Sequence, residues 1–157
     1  MIEIFIRKKQ LMKDDSMKNL TKSYLGKSRS NLITMEILSK VDKHKTLLAI
    51  PKEHTTDEWV VVVGYYAMYM SALSLLAKLG YKSKSHTATS VALEEFFVKS
   101  KMLEKAHFIN FEKIRMKIVQ FRTYSVFSYF HHFFLLRMFC KVHHTFQLTF
   151  YSFLLLF

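Results

Sequence analysis

The residues best suited to chemistry in this sequence lie in one short basic segment. Lys82 and Lys84 alternate with two serines, and His86 follows directly. Lysines attract phosphate, a serine hydroxyl can cap a helix whose N-terminal end binds anions, and histidine transfers protons near neutral pH. The pattern predicts a nucleotide or anion site formed by Lys82, Lys84, Ser85 and His86, with His86 as the candidate catalytic residue. The alternative is a solvated loop that begins a helix.

Composition excludes several classes of site and fold. The 157 residues include only 3 glycines and 1 proline, too few for the special backbone conformations of a β-sandwich, a barrel or a glycine-cradled nucleotide fold. No nucleophile–base–acid set, Walker loop or dinucleotide fingerprint occurs. We therefore expect long helices with few breaks, and no cofactor.

The cysteine content and the N-terminus predict the cellular compartment. A single cysteine, Cys140, cannot form an internal disulfide, so nothing demands an oxidising environment. The first nine residues place apolar side chains before basic ones, which is the reverse of a secretory signal. We expect a cytoplasmic protein.

Positive charge is concentrated toward the two ends of the chain. Residues 1–56 carry 12 basic and 6 acidic side chains, residues 57–112 carry 6 of each, and residues 113–157 carry 6 basic and no acidic ones. Basic segments raise encounter rates with RNA or another polyanion by long-range attraction. Solvated lysines on helix faces are the alternative explanation.

Apolar periodicity predicts four helices. Their expected bounds are Asp14 to about Val41, Asp57 to Leu79, about His86 to Lys99, and Lys101 to about Val119. Thr55 and Glu58 have the spacing of a capping box for the second helix, and Gly80 is its expected left-handed stop. Ser85 is the expected cap of the third helix. Short connections between amphipathic helices are typical of an up-and-down bundle, so the predicted class is all-α.

The second of these helices is apolar around nearly its whole circumference. Between Trp59 and Leu76 the chain carries no charged side chain. Such a helix must be covered on several sides, so we expect a central helix that also contributes to a homodimer, with Trp59 buried. A membrane span is the alternative by length, and the tyrosines and serines in the helix disfavour it.

Two segments in and after this helix carry a resemblance to a known family. Tyr65-Tyr66-Ala67-Met68-Tyr69 is followed by Gly80-Tyr81-Lys82-Ser83-Lys84-Ser85-His86. In this order and spacing, residues 14–118 resemble small HEPN (higher eukaryotes and prokaryotes nucleotide-binding) proteins of archaea and bacteria. The resemblance implies a helical bundle that is usually dimeric. It also implies one of three functions: a ribonuclease, a ribonuclease-like toxin, or the partner of a small nucleotidyltransferase in a toxin–antitoxin-type pair.

The sequence departs from the family at its catalytic motif. Active HEPN ribonucleases resemble one another in an arginine and a histidine with four to six residues between them, and no arginine stands at that spacing before His86. Lys82 and Lys84 supply charge but lack the bidentate guanidinium fork. We therefore expect a binding and interaction protein without an intact catalytic motif. A metal-independent HEPN endoribonuclease is the alternative function.

The C-terminal segment has a different composition from the rest of the chain. After Glu112 no acidic residue occurs, and ten of the 15 phenylalanines lie between Phe121 and Phe157. Arg137 and His143 have the arginine–histidine spacing of the family motif. We interpret this as a chance match, because its surroundings are aromatic and the tail is rich in histidine. Its metal-ligand residue types, at His131, His132, Cys140, His143 and His144, match no zinc pattern. We therefore predict no metal site.

These observations divide the chain into three parts. We predict a basic N-terminal arm over 1–13, a HEPN-like bundle over 14–119 and an atypical aromatic and basic tail over 120–157. A frameshifted reading of the gene explains the tail best. The alternative is a membrane-associated or partner-binding helix, which would make the protein membrane-peripheral.

Overall fold

The computed structural model describes residues 2–124. In chain order its elements are helix α1 (Ile2–Arg7), strand β1 (Leu11–Lys13), a 3-10 helix (Asp15–Leu20), helix α2 (Thr21–Val41), a 3-10 helix (Asp42–His44), helix α3 (Asp57–Lys78), strand β2 (Tyr81–Ser83), helix α4 (His86–Leu93), a π-helix (Glu94–Val98) and helix α5 (Lys105–Tyr124). The four predicted helices correspond to α2, α3, α4 with its π-helix, and α5. The all-α class is confirmed.

The C-terminal predictions lie mostly outside the described residues. These include the Arg137–His143 spacing match and the five metal-ligand residue types of the tail. The predicted boundary at residue 119 falls within α5, which continues to Tyr124. Helix α5 also begins later than predicted, at Lys105 rather than Lys101, and Lys101 itself adopts a left-handed conformation with φ 61°. A left-handed residue interrupts a right-handed helix, so the break extends beyond the predicted position.

Helices α2 and α3 form an antiparallel pair along most of their length. Near one end the Thr56 hydroxyl donates to the Leu38 carbonyl oxygen (2.9 Å), and near the other the Ser74 hydroxyl donates to the Thr21 carbonyl oxygen (2.7 Å). Between them the Ser28 and Ser71 hydroxyls are fully buried and 2.6 Å apart. Small side chains with internal hydrogen-bond partners allow the two backbones to approach closely without leaving polar groups unpaired.

The capping prediction for α3 was wrong. Its N-cap is Thr56, and no side chain caps the helix. The Thr56 hydroxyl bonds to α2 instead, and the Glu58 side chain is exposed. A tertiary hydrogen bond therefore replaces the local capping box, which sequence spacing alone cannot reveal.

Helix α3 is the centre of the core, as predicted. Tyr65, Met68, Leu75 and Leu76 are at most 1% exposed, and α2, α4, α5 and β2 all contact the helix. Trp59 is an exception within the single chain, where 60% of its surface is exposed, and its coverage in a homodimer stays a prediction. It lies in the first turn of α3, where Thr56, Val60 and Val61 are buried, so its side chain occupies the face of that turn that the rest of the chain leaves uncovered.

One helix in the described part of the chain is long and apolar enough to cross a membrane, and it is α3. In its most apolar window, 72% of the residues are buried by the rest of the chain. The core helix of a soluble protein passes the same test, so length and composition alone do not indicate a span.

Residues 2–13 pack against the bundle, whereas the sequence predicted a basic arm. Leu11 is fully buried, and Ile2 and Phe5 contact the core. Strand β1 pairs antiparallel with β2, with Leu11 opposite Ser83 and Met12 opposite Lys82. The predicted loop after α3 is therefore one strand of a two-stranded ribbon. Short strands of this kind depend on a distant partner, which local periodicity does not show.

The turn between α3 and β2 forms as predicted. Gly80 has φ 74°, a left-handed conformation that glycine adopts without strain. Its backbone N–H donates to the Ala77 carbonyl oxygen (2.8 Å), and its carbonyl accepts from the Asp14 N–H (2.8 Å). The turn thus ends α3 and directs the chain into the ribbon.

Candidate functional site

His86 is the first residue of α4, and its ring faces α3. The Tyr65 hydroxyl lies 2.6 Å from His86 Nδ1, and the His86 ring stacks on Tyr69 with centroids 4.1 Å apart and an interplanar angle of 17°. The imidazole is partly buried. His86 is therefore held by two tyrosines of the central helix, and it does not extend from a solvated loop.

Tyr65 is the anchor of this arrangement. It is 1% exposed, and burial, with a smaller contribution from Tyr69, raises the pKa of its hydroxyl well above the ordinary value. The phenol therefore keeps its proton at physiological pH. It can donate to Nδ1 of a neutral imidazole, or accept from Nδ1 when that atom carries the proton.

Tyr69 completes the aromatic side of the cluster. Burial raises the pKa of the Tyr69 hydroxyl, and a hydrogen bond with Thr89 opposes that change. Thr89 follows His86 by one turn on α4. Tyrosines of α3 therefore contact α4 in two successive turns, at His86 and at Thr89. The His86 ring is thus fixed by packing as well as by its hydrogen bond.

A charged pair from α5 lies beside the tyrosines. Arg115 Nε and a second guanidinium nitrogen donate to the two carboxylate oxygens of Glu112, both at 2.8 Å, and the Ser90 hydroxyl donates to the same carboxylate at 2.5 Å. Ser90 follows His86 by four residues, so both are on one face of α4. Arg115 is close enough to Tyr65 to lower the pKa of its hydroxyl against the effect of burial.

Glu112 is ionised at neutral pH in this setting. Burial acts to raise the pKa of its carboxyl group, but the hydrogen bonds from Arg115 and Ser90 outweigh that effect, so its pKa is lowered. The side chains of Glu112 and Arg115 are 28% and 14% exposed. A fixed positive and a fixed negative group therefore lie next to the Tyr65–His86 pair.

Ser85 is the N-cap of α4, as predicted. Its hydroxyl accepts from the Ala88 backbone N–H (3.1 Å), and its carbonyl oxygen accepts from the Thr89 hydroxyl (3.1 Å). The Thr89 hydroxyl also contacts Ser83 Oγ (2.9 Å). Ser85 therefore stabilises the N-terminus of α4, and its hydroxyl is occupied by the hydrogen bond from the Ala88 N–H.

Lys82 and Lys84 are exposed on the ribbon. Side chains alternate between the two faces of a strand, and Ser83 between them contacts Thr89 in the interior. Both lysines therefore lie on the outer face, whereas His86 turns inward toward α3. The predicted site residues are neighbours in the chain, but the structure divides them into an outer basic surface and an inner histidine cluster.

Three participants in the histidine cluster were not predicted from the sequence. Tyr65 was named only within the segment that carries the family resemblance, and Glu112 and Arg115 were assigned no role. The only local indication was their three-residue spacing, which places opposite charges together on one helix face. Their position beside His86 depends on the packing of α5 against α3 and α4. Within residues 2–124, no group of three histidine, cysteine or acidic side chains is placed to hold a metal ion.

Comparison of the chain with protein-family models, curated proteins and solved structures gives no match.

Proposed function

We propose that this protein is a HEPN-like nucleotide- or RNA-binding and interaction protein of the cytoplasm, with its site at His86. The observation that carries the proposal is the His86 cluster itself, in which the imidazole bonds to Tyr65, stacks on Tyr69 and lies beside the Glu112–Arg115 pair. Titratable groups shifted by burial and by specific charged neighbours concentrate at functional sites.

The surroundings of the cluster favour an anionic ligand. Helix α4 begins at His86, and backbone N–H groups at such a terminus carry partial positive charge. Lys82 and Lys84 add two formal charges within four residues of that terminus. A phosphate group is the ligand that this combination fits best.

The partners follow from the resemblance described above. We propose a homodimer and a nucleotidyltransferase-like protein partner in a toxin–antitoxin-type pair. The apolar circumference of α3 supported self-association at the level of sequence. Since the chain itself covers most of α3, a dimer interface has to use other exposed surface, such as the first turn at Trp59.

Binding of a nucleoside monophosphate and of a short single-stranded RNA tests the proposal. We expect His86→Ala to weaken binding at least about tenfold, which corresponds to about 1.4 kcal/mol. His54→Ala is the matched control, because His54 is exposed and distant in sequence from the cluster. Equal affinities for the wild type and both variants would contradict the assignment of the site.

A metal-independent endoribonuclease is the second candidate, and the position of Arg115 favours it. Arg115 acts electrostatically on the Tyr65 hydroxyl that bonds to His86, even though no arginine stands at the family spacing. His86 would take the proton from a ribose 2′-hydroxyl as that oxygen attacks the adjacent phosphorus, and Arg115 would stabilise the charge on the phosphate. The products would be a 2′,3′-cyclic phosphate and a 5′-hydroxyl, whose leaving oxygen takes up a proton.

Incubation of the purified protein with RNA and a metal chelator separates the two candidates. Cleavage that persists with the chelator and is abolished by His86→Ala and by Arg115→Gln would establish the nuclease. Binding without cleavage supports the leading proposal. Cleavage that survives His86→Ala indicates a contaminating nuclease and assigns no catalytic role to this site.

A further inference from the structure

Two basic segments that are distant in sequence meet on the β1–β2 ribbon. Met12 is opposite Lys82, and the Lys84 backbone N–H donates to the Gln10 carbonyl oxygen (2.9 Å), which extends the pairing beyond the strands. Lys9 therefore immediately precedes the residue that pairs with Lys84. About seventy residues separate the two segments in sequence, so only the tertiary structure brings them together.

The turn before β1 positions the N-terminal cations. Lys9 has φ 53°, and its N–H donates to the Ile6 carbonyl oxygen (3.0 Å), while the Gln10 N–H donates to the Phe5 carbonyl oxygen (2.9 Å). These bonds close the end of α1 and start the strand. As a result Arg7, Lys8 and Lys9 are held at the end of the ribbon where Lys84 lies.

The cations of this surface have no acidic partners in the described part of the chain. The five cations of this surface are Arg7, Lys8, Lys9, Lys82 and Lys84. Their side chains are exposed, and none of them is in an ion pair within residues 2–124. Two other basic residues nearby differ, since Lys13 and Lys18 both contact Asp15, at 3.9 Å and 2.8 Å. The five therefore form an uncompensated positive surface, which we call the basic ribbon.

The fold fixes which way the basic ribbon faces. On its inner face Leu11 is fully buried and Ser83 bonds to Thr89. Lys82 and Lys84 are consequently on the outer face, about 7 Å apart along the strand. Two residues beyond Lys84 the chain reaches His86, so the basic ribbon adjoins the start of α4, on whose inner side the His86 ring lies.

We infer that the basic ribbon holds the phosphate backbone of a single-stranded RNA whose terminal or reacting nucleotide lies at His86. The inference rests on the proposed function and specifies its ligand as an oligonucleotide longer than one nucleotide. A row of exposed lysines contacts successive backbone phosphates without reading sequence, and it releases counterions when it does so. Regularly spaced negative charges on a flexible strand match such a row.

An anionic membrane is the competing partner for the same charges. Ile4 and Ile6 on α1 are 45% and 46% exposed, which would suit insertion among lipids. Glu3 directly precedes Ile4 in α1, and its exposed carboxylate opposes insertion of this helix among lipids, because burial of an unpaired charge is costly. The lysine row adjoins the chain segment that begins α4, which favours RNA, and vesicle binding is an outcome of the test.

The test compares Lys8→Gln/Lys9→Gln with Lys40→Gln/Lys43→Gln. Both variants lose two exposed lysines, and the second pair lies near the start of α3, at the opposite end of that helix from β2. Neither pair belongs to the His86 cluster. Affinities for AMP and for a single-stranded RNA of about 12 nucleotides are measured between about 50 and 200 mM salt. Circular dichroism checks that each variant is folded.

We expect Lys8→Gln/Lys9→Gln to weaken RNA binding severalfold and to reduce the slope of log affinity against log salt by about 1.4, the value for two lost single-strand contacts. AMP affinity should be unchanged, and Lys40→Gln/Lys43→Gln should retain the slope of the wild type.

Other outcomes overturn the inference in distinguishable ways. Equal slopes for the two variants, with RNA binding still lost in His86→Ala, would reject the basic ribbon and leave the proposed function standing. Binding of AMP without binding of RNA by the wild type would reject the basic ribbon and leave a nucleotide site, and absence of both would reject the proposed function as well. Binding to phosphatidylserine vesicles that is lost in Lys8→Gln/Lys9→Gln, while RNA affinity is unaffected, would assign the surface to a membrane.

Discussion

At the scale of single residues, the contact between Tyr65 and His86 supports both the fold and the site. Tyr65→Phe removes the hydroxyl that bonds to His86 Nδ1 and leaves the ring in place. We expect the free energy of unfolding to fall by about 1–2 kcal/mol, because a partly buried nitrogen loses its partner. Urea unfolding measures the change.

Tyr66→Phe is the control for that experiment, since no hydrogen bond of the Tyr66 hydroxyl is found within residues 2–124. Its effect on stability should stay below about 0.5 kcal/mol. Equal losses in the two variants would show that the Tyr65–His86 bond does not contribute.

Glu112 gives the protein an acid-sensitive ion pair. The pKa of Glu112 is lowered from 4.5 in the folded state, so its interaction with Arg115 stabilises the fold above about pH 4.5 and is lost as pH falls through the lower folded value. Glu112→Gln should therefore be less stable than the wild type at neutral pH, by about 1–3 kcal/mol. The difference should shrink below pH 4.5. Urea unfolding as a function of pH measures it.

Glu104→Gln provides the comparison for Glu112, because the Glu104 side chain is 81% exposed. Its substitution should leave the pH dependence of stability close to that of the wild type. A difference between wild type and Glu112→Gln that stays constant down to pH 3 would contradict an ionised, paired Glu112.

At the scale of elements, Trp59 tests how much of the surface of α3 the other helices of the chain cover. Because 60% of its surface is exposed, Trp59→Ala should reduce the free energy of unfolding by less than about 1 kcal/mol, well below the 3–5 kcal/mol typical of a buried large aromatic side chain. Chemical unfolding at several protein concentrations measures the effect. A larger loss that depends on concentration would show that a second copy covers the ring.

The turn between α3 and β2 is sensitive to a single methyl group. Gly80→Ala places a Cβ 2.6 Å from Asp15 Oδ1 on a backbone with φ 74°, so we expect a loss of about 1–2 kcal/mol from conformational strain. Gly26→Ala in α2 meets no atom within 4 Å and should stabilise the protein by about 0.5–1 kcal/mol. Opposite signs in thermal unfolding are the expected result, and equal signs would contradict the turn geometry.

At the scale of the whole molecule, the net charge of +12 works against compaction. The ion pairs Lys18–Asp15 and Lys99–Glu95 are mostly exposed and contribute little. Repulsion among unpaired lysines therefore dominates, and raising salt from about 10 to about 150 mM should raise the melting temperature. Differential scanning fluorimetry measures it. A lower melting temperature at the higher salt concentration would show that attractive pairs outweigh repulsion.

The sequence by itself determined the helical class and the main helices. Scarce glycine and proline, apolar spacing, the Ser85 cap and the Gly80 stop are all local features, and a helix satisfies its hydrogen bonds within a few residues. The central position of α3 could also be predicted from the sequence, because a helix without a polar face has to be covered by other helices.

Only the tertiary structure decided what depends on distant pairs. The β1–β2 ribbon joins a segment that precedes α2 to a segment that follows α3, and neither strand has a periodicity long enough to predict it. Thr56 bonds to Leu38 in place of a local cap, and Trp59 lies on the face of the first turn of α3 that the other helices leave uncovered. The candidate site follows the same rule. His86 and its lysines are evident as a local motif, whereas the contribution of Arg115 exists only because α5 packs beside Tyr65. Proximity across helices is set by packing, which spacing along one chain segment does not encode.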